Sequence, residues 1–167
     1  MLSALAAELK QSKPFESLEV EAVLSIARTA AIFEHQAAQA LKPFDLSLSQ
    51  YNVLRILRGA GTEGLCRNEV GKRLVTQVPD VTRLLDRMEE AGLISRQRGA
   101  EDRRYVTTRI TRKGLDLVGK LDRPITELHQ AQLGHVSKKT LRSLIDALAE
   151  VRAKPDFAAA QLRRGKP

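Results

Sequence analysis

Five arginines fall within the seventeen residues SRQRGAEDRRYVTTRIT, Ser95–Thr111. A guanidinium presents a planar fork of N–H donors that matches phosphate oxygens and the O6/N7 edge of guanine. The same residue also serves simply to solubilise a surface, so the surrounding pattern has to decide. LISRQR reads as an extended strand, GAEDR as a loop, and RYVTTRIT as a second strand rich in β-branched residues. In that second strand Val106, Thr108 and Ile110 share one face, and Tyr105, Thr107 and Arg109 the other. A hairpin with a charged tip follows: Asp102, Arg103 and Arg104 stand at the tip, and Arg98 closes the first strand. An isolated hairpin is marginal in water, so its neighbours must support it.

A second cationic set precedes it. Val81, Leu84, Leu85 and Met88 follow the i, i+3, i+4, i+7 spacing of an amphipathic helix. Pro79 is expected at its first position, and Gly92 stops it. Asp80, Thr82, Arg83, Asp86, Arg87, Glu89 and Glu90 are left facing outward. Acidic groups at a helix C-terminus oppose the dipole, which suits an end aimed away from phosphates. The alternative is a solvated face with Arg83–Asp86 and Arg87–Glu90 pairs.

The elements that would position these residues are legible on either side. Ser47 and Gln50 in SLSQ have capping-box spacing. Tyr51, Leu54 and Leu57 follow on one face, and GAGTEG ends the helix. RNEVGKRLV makes a short second helix, with Val70 and Leu74 inward and Arg67 and Asn68 opening it; Cys66 is a poor cap for it. Residues 48–111 thus read helix, helix, helix, two-stranded wing. Two short helices in succession are helix-turn-helix order, in which the second helix enters the major groove, and a basic hairpin beside it can reach the adjacent minor groove.

Outside this unit, Ser17–Leu41 is an alanine-rich helix with apolar residues on more than one face, expected to lie buried between other helices. Arg112 to about Leu133 is a long helical pattern that Pro124 should kink or split. Ser137 caps a last helix bearing Leu141, Leu144, Ile145, Leu148 and Val151. These outer helices are expected to pair two subunits. The fold class is therefore mainly α with a small β-hairpin wing: an N-terminal dimerisation region over residues 1–46, a winged helix-turn-helix lobe over 47–112, and dimerisation helices with a basic tail over 113–167.

Composition narrows the function. The net charge is +8, yet residues 1–60 balance 6 Lys+Arg against 6 Asp+Glu, so the excess lies in the wing region and the C-terminal third. An acidic partner is expected, and double-stranded DNA before single strands, because aromatics make up 4% of the chain and tryptophan is absent. No nucleotide loop, H-E-x-x-H, G-x-S-x-G or Cys–His signature is present, so no enzyme is expected. The lone cysteine, Cys66, excludes an intrachain disulfide framework; it reads as a small buried hydrophobe, with a redox-responsive switch as the alternative. His35, His129 and His135 are dispersed, and no metal or cofactor is assigned. No leader-like segment or membrane-length apolar run is present, so a cytoplasmic protein is expected.

The run from LSLSQYNVLRILRGAG to ITRKG resembles the MarR family of winged-helix regulators. The closest points are VTRLLDRMEEAGLI for the recognition helix, EDRR for the D-x-R wing signature, and ITRKG for the L-T-x-x-G that opens the next long helix. The resemblance extends roughly from Phe15 to Val151. It implies a homodimeric transcriptional regulator, more often a repressor, gripping a palindromic operator and released by a small aromatic anion or another signal. It implies that Gln77, Pro79, Asp80, Thr82 and Arg83 address bases and nearby phosphates, with Arg87 beside them. Asp102 and Arg104 match the wing pair, and Arg67 and Asn68 are expected on the backbone. Two positions depart: Cys66 stands where a Ser or Thr cap is common, and Ile110 replaces Leu. The family's peroxide-sensing cysteine lies in its first helix, where this chain has none. A non-sequence-specific architectural nucleic-acid-binding protein is the competing reading.

Overall fold

The computed structural model describes residues 2–98 and 106–153. Its elements are α1 (Ala4–Glu8), α2 (Leu18–Leu41), a 3-10 turn at Lys42–Phe44, α3 (Leu48–Ala60), β1 (Leu65–Cys66), α4 (Arg67–Arg73), α5 (Val81–Glu90), β2 (Ile94–Arg98), β3 (Val106–Ile110), α6 (Arg112–Leu133) and α7 (Lys138–Arg152). Helices and a small antiparallel sheet in this order are the mainly-α, winged arrangement read from the sequence. The chain divides into two compact units, residues 1–128 and 129–167.

Serine hydroxyls cap several of the helices. Ser47 accepts from the Gln50 amide at 3.2 Å, while Gln50 Oε1 accepts from the Ser47 amide at 2.8 Å. The two bonds close the expected capping box and satisfy N–H groups that the first helical turn leaves orphaned. Ser17 caps α2 in the simpler way, accepting from the Val20 amide. The core of the first unit lies where α3, α5 and α6 converge on the sheet. Val53, Leu54 and Leu57 of α3, Leu85 and Met88 of α5, and Val118 and Leu121 of α6 are all buried, with Leu93 and Ile94 entering from the sheet.

The wing has three strands, in the order β1-β3-β2, not the two expected from the hairpin alone. Leu65 and Cys66 pair antiparallel with Thr108 and Thr107, and β2 pairs with β3 from Ile94↔Ile110 to Arg98↔Val106. β3 is therefore central, and Thr108 is buried at 1% exposure. Gly64, at φ +69°, allows the close approach of β1: a Cβ there would meet the Thr108 carbonyl at 2.5 Å.

Two further expectations are corrected. Pro79 is not the first residue of α5; Asp80 is its N-cap, and its carboxylate accepts from the Arg83 amide at 2.9 Å. An aspartate cap satisfies an orphan donor, which a proline at the first helical position cannot do. α2 is a helix as expected, but it is not enclosed by other helices of this chain: only Leu41 is buried, and Val23 and Ile26 are 64% and 42% exposed. Pro124 lies inside α6 without dividing it. Within the second unit, Ser137 caps α7 through the Thr140 amide, and Leu144, Ile145 and Val151 are exposed.

Candidate nucleic-acid interface

α5 is an amphipathic helix with a buried side, Leu85 and Met88, and an exposed side carrying Thr82, Arg83, Arg87 and Glu90. The Asp80 cap sets where that exposed side begins. Arg83, at the third helical position, and Arg87, one turn later, project from it. Among the described residues neither arginine side chain has a hydrogen-bond or ion-pair partner, so the i, i+3 pairs with Asp86 and Glu90 do not form. Asp86 and Glu89 are engaged elsewhere, by Arg96 of β2.

That engagement is dense. Glu89 accepts from the Arg96 amide at 2.8 Å, from its Nε at 2.9 Å and from its Nη2 at 2.7 Å; Asp86 accepts from the same Nη2 at 2.6 Å. The hydrogen bonds from the Arg96 guanidinium hold the Glu89 carboxyl below its ordinary value of 4.5. Arg96 thus fastens the root of the wing to the last two turns of α5 and engages two of the acids there, Asp86 and Glu89. It is one of the five arginines of Ser95–Thr111, but its work is internal. Arg109 is likewise spoken for: its Nε donates to the Thr62 carbonyl at 2.8 Å and its Nη1 to Gln97 at 3.2 Å. Arg98 is exposed at the outer end of β2. Asp102, Arg103 and Arg104 lie outside the described residues.

Glu89→Gln gives a pH-dependent outcome. A carboxyl whose folded value is depressed contributes stability that is present above its unfolded value and lost as pH falls through the folded one. Denaturant midpoints measured on either side of pH 4.5 are expected to fall on acidification, and Glu89→Gln to remove part of that slope. An unchanged slope would mean the contact is as weak as exposed ion pairs usually are.

The C-terminal end of α5 is fastened as well. The Thr111 hydroxyl donates to the Gly92 carbonyl at 2.8 Å, and Lys113 Nζ to the Ala91 carbonyl at 2.7 Å. Thr111 Oγ1 also accepts from the Gly114 amide, so one side chain caps α6 and ties it to the turn after α5. Sequence reasoning missed Arg96, Thr111 and Lys113 as positioning residues, although the acidic pair at the end of α5 with an arginine seven residues on was a usable signal.

The remaining expected residues gather at the start of α5. Arg67 and Asn68 open α4; Pro79, Asp80 and Thr82 lie across from them, and together with Lys72 they line an open cleft of about 530 Å³. Arg67 Nη1 donates to Thr82 Oγ1 at 3.1 Å and its Nη2 to Asn68 Oδ1 at 3.2 Å. Lys72, which the sequence reading did not single out, is exposed beside Glu69 at 3.1 Å. Gln77 is exposed in the turn between the two helices. Cys66 is half-buried in β1 rather than buried, and lines a second cleft of about 490 Å³ with Arg67, Thr82, Arg96 and Thr108. Among the described residues no cluster of His, Cys, Asp or Glu is arranged to hold a metal ion, and no helix is long and apolar enough to cross a membrane.

Known proteins are similar to this chain in sequence and fold. The sequence model of the MarR family matches residues 46–106. The HTH-type transcriptional regulator TtmR of Methylorubrum extorquens (strain PA1) is 33% identical over 141 residues, which span 82% of this chain and 68% of TtmR. The crystal structure of a MarR transcription factor from Planctomyces limnophilus is 38% identical, with a TM-score of 0.63 over 81% of this chain and 98% of that one. S. aureus MepR in a crystal structure of its DNA complex superposes with a TM-score of 0.72 at 24% identity, over 78% of this chain and 96% of that one, and shows the shared fold alone.

Proposed function

The chain belongs to the MarR family of transcriptional regulators, and from that premise we propose that it is a repressor binding a palindromic operator as a homodimer in the cytoplasm. A member of this family is a regulator and not an enzyme. In the proposed complex α5 lies in the major groove. Arg83, Thr82 and Gln77 face base edges there, while Arg67, Asn68, Asp80 and Arg87 lie near the phosphates. The wing, with Arg98 at the outer end of β2 and Arg103 and Arg104 following it in the sequence, reaches the adjacent minor groove.

The observation that carries this reading is the sorting of charge on α5. Among the described residues Arg83 and Arg87 are left without partners on the exposed side, while Asp86 and Glu89 are drawn to Arg96 and Glu90 stands at the far end of the helix. A dimer is supported by the apolar residues that α2 and α7 each leave exposed, Val23 and Ile26 on the first and Leu144, Ile145 and Val151 on the second. Release by a small aromatic anion would work by favouring a dimer whose two α5 helices no longer match the half-site spacing.

A competition assay tests the reading. A large excess of random duplex should fail to displace a palindrome taken from the protein's own promoter region; ready displacement would favour an architectural binder. Within that assay Arg83→Ala should cost about 1–3 kcal/mol and relax preference at one position per half-site. A uniform loss across all sequences would place Arg83 on phosphate only.

A further inference from the structure

Thr82 and Arg67 form the wall between the two clefts beside α5, since both residues line each of them. The wall is a hydrogen bond. Arg67, first residue of α4, reaches across to α5 and donates from Nη1 to Thr82 Oγ1 at 3.1 Å, while its Nη2 is held by Asn68 Oδ1 at 3.2 Å. All three side chains are exposed, so the arrangement is not forced by burial.

The chemistry of the pair is directional. A guanidinium has donors and no acceptor, whereas a threonine hydroxyl has one proton to give and two lone pairs. Arg67 therefore occupies a lone pair and leaves the hydroxyl proton for another acceptor. Threonine in a helix divides between two χ1 rotamers, because its hydroxyl can bond back to the carbonyl three or four residues earlier. Thr82 is the second residue of α5, and the positions before its cap are not helical, so no helical carbonyl lies behind it to compete for the hydroxyl. The bond to Arg67 is then what selects one rotamer, and with it the direction of the γ-methyl group.

We infer that Arg67 is a specificity-determining positioning residue: it holds Thr82 so that hydroxyl proton and methyl group both face a thymine, whose O4 accepts and whose C5-methyl packs. The inference rests on the proposed major-groove placement of α5. It assigns Arg67 more than a plain backbone contact, because two of its five guanidinium N–H groups already engage Thr82 and Asn68.

The test is selection of half-site variants from a randomised duplex library by the full-length protein, wild type against Arg67→Met, Arg67→Lys, Thr82→Val and the double variant Arg67→Met/Thr82→Val. The wild type should prefer a T·A pair at one position per half-site. Arg67→Met should flatten that preference by roughly 3–10-fold, the size of one hydrogen bond's net effect, and leave the other positions unchanged. Thr82→Val should flatten it to a similar extent, and adding Arg67→Met to it should change that position no further. Arg67→Lys keeps the charge without the fork and should resemble Arg67→Met, which separates orientation from charge should the methionine variant fold poorly. A loss equal on all sequences in Arg67→Met, rescued by Arg67→Lys, would overturn the inference and make Arg67 a phosphate contact. A wild type that selects no sequence at all would overturn the operator reading itself, an outcome recognisable before any variant is compared.

Discussion

Between about 50 and about 200 mM salt, operator affinity is expected to fall by roughly 10³–10⁵, if some 6–10 phosphates are neutralised by the dimer. Each lysine or arginine that meets a phosphate releases condensed counterions, and added salt opposes that release. The cations free to do so are fewer than the sequence suggested. Arg96 and Arg109 are occupied within the lobe, whereas Arg83, Arg87 and Arg98 are exposed on it. Arg87→Ala should lower the slope of log K against log salt by about one for each phosphate that a subunit no longer neutralises, and Arg96→Ala should not alter the slope in that way. Fluorescence anisotropy across a salt series reads both. A slope near zero for the wild type would remove the electrostatic basis of the whole interface.

Gly114→Ala is expected to destabilise the lobe. A Cβ at this position would collide with the Leu93 carbonyl, and would come within 2.8 Å of Ile110 Cγ1 and 3.3 Å of Leu54 Cδ2. The first obstacle is backbone, which cannot rotate aside as a side chain does, so α6 or the start of β2 must move. Overpacking of this kind costs typically 1–3 kcal/mol, and occasionally more. Alanine recovers about 1 kcal/mol of helix propensity relative to glycine. Because the obstacle is backbone, a net loss of about 1–2 kcal/mol is expected, which for a protein of this size corresponds to a fall of about 2–8 °C in Tm. A thermal melt showing no change would mean that α6 accommodates the methyl group by a shift with no energetic consequence. The glycine of ITRKG is thus required by the contact between α6 and Leu93.

What was legible in the sequence was local. The Ser47–Gln50 box, the Ser137 cap and the apolar stripe of α5 each depend on residues within one or two turns, and each stands where the spacing put it. β1 was not legible, because two residues carry no periodicity and their partners, Thr107 and Thr108, are some forty positions away. Pro79 was misplaced because two rules compete over adjacent residues, and the aspartate cap prevailed. α2 showed its apolar faces but not that Val23 and Ile26 would stay exposed on the folded chain. The residues gathered around the start of α5 were named from its outward face and from the family resemblance; that Arg67 is bonded to Thr82, and that Arg96 serves Asp86 and Glu89, are tertiary facts that no arginine announces.

The double fastening of Gly92 and Ala91 to Thr111 and Lys113 carries a mechanical consequence. The far end of α5 hangs from the opening turn of α6 by two short links of 2.8 and 2.7 Å. A tilt of the longer helix would pass through these two links to the aim of the shorter one.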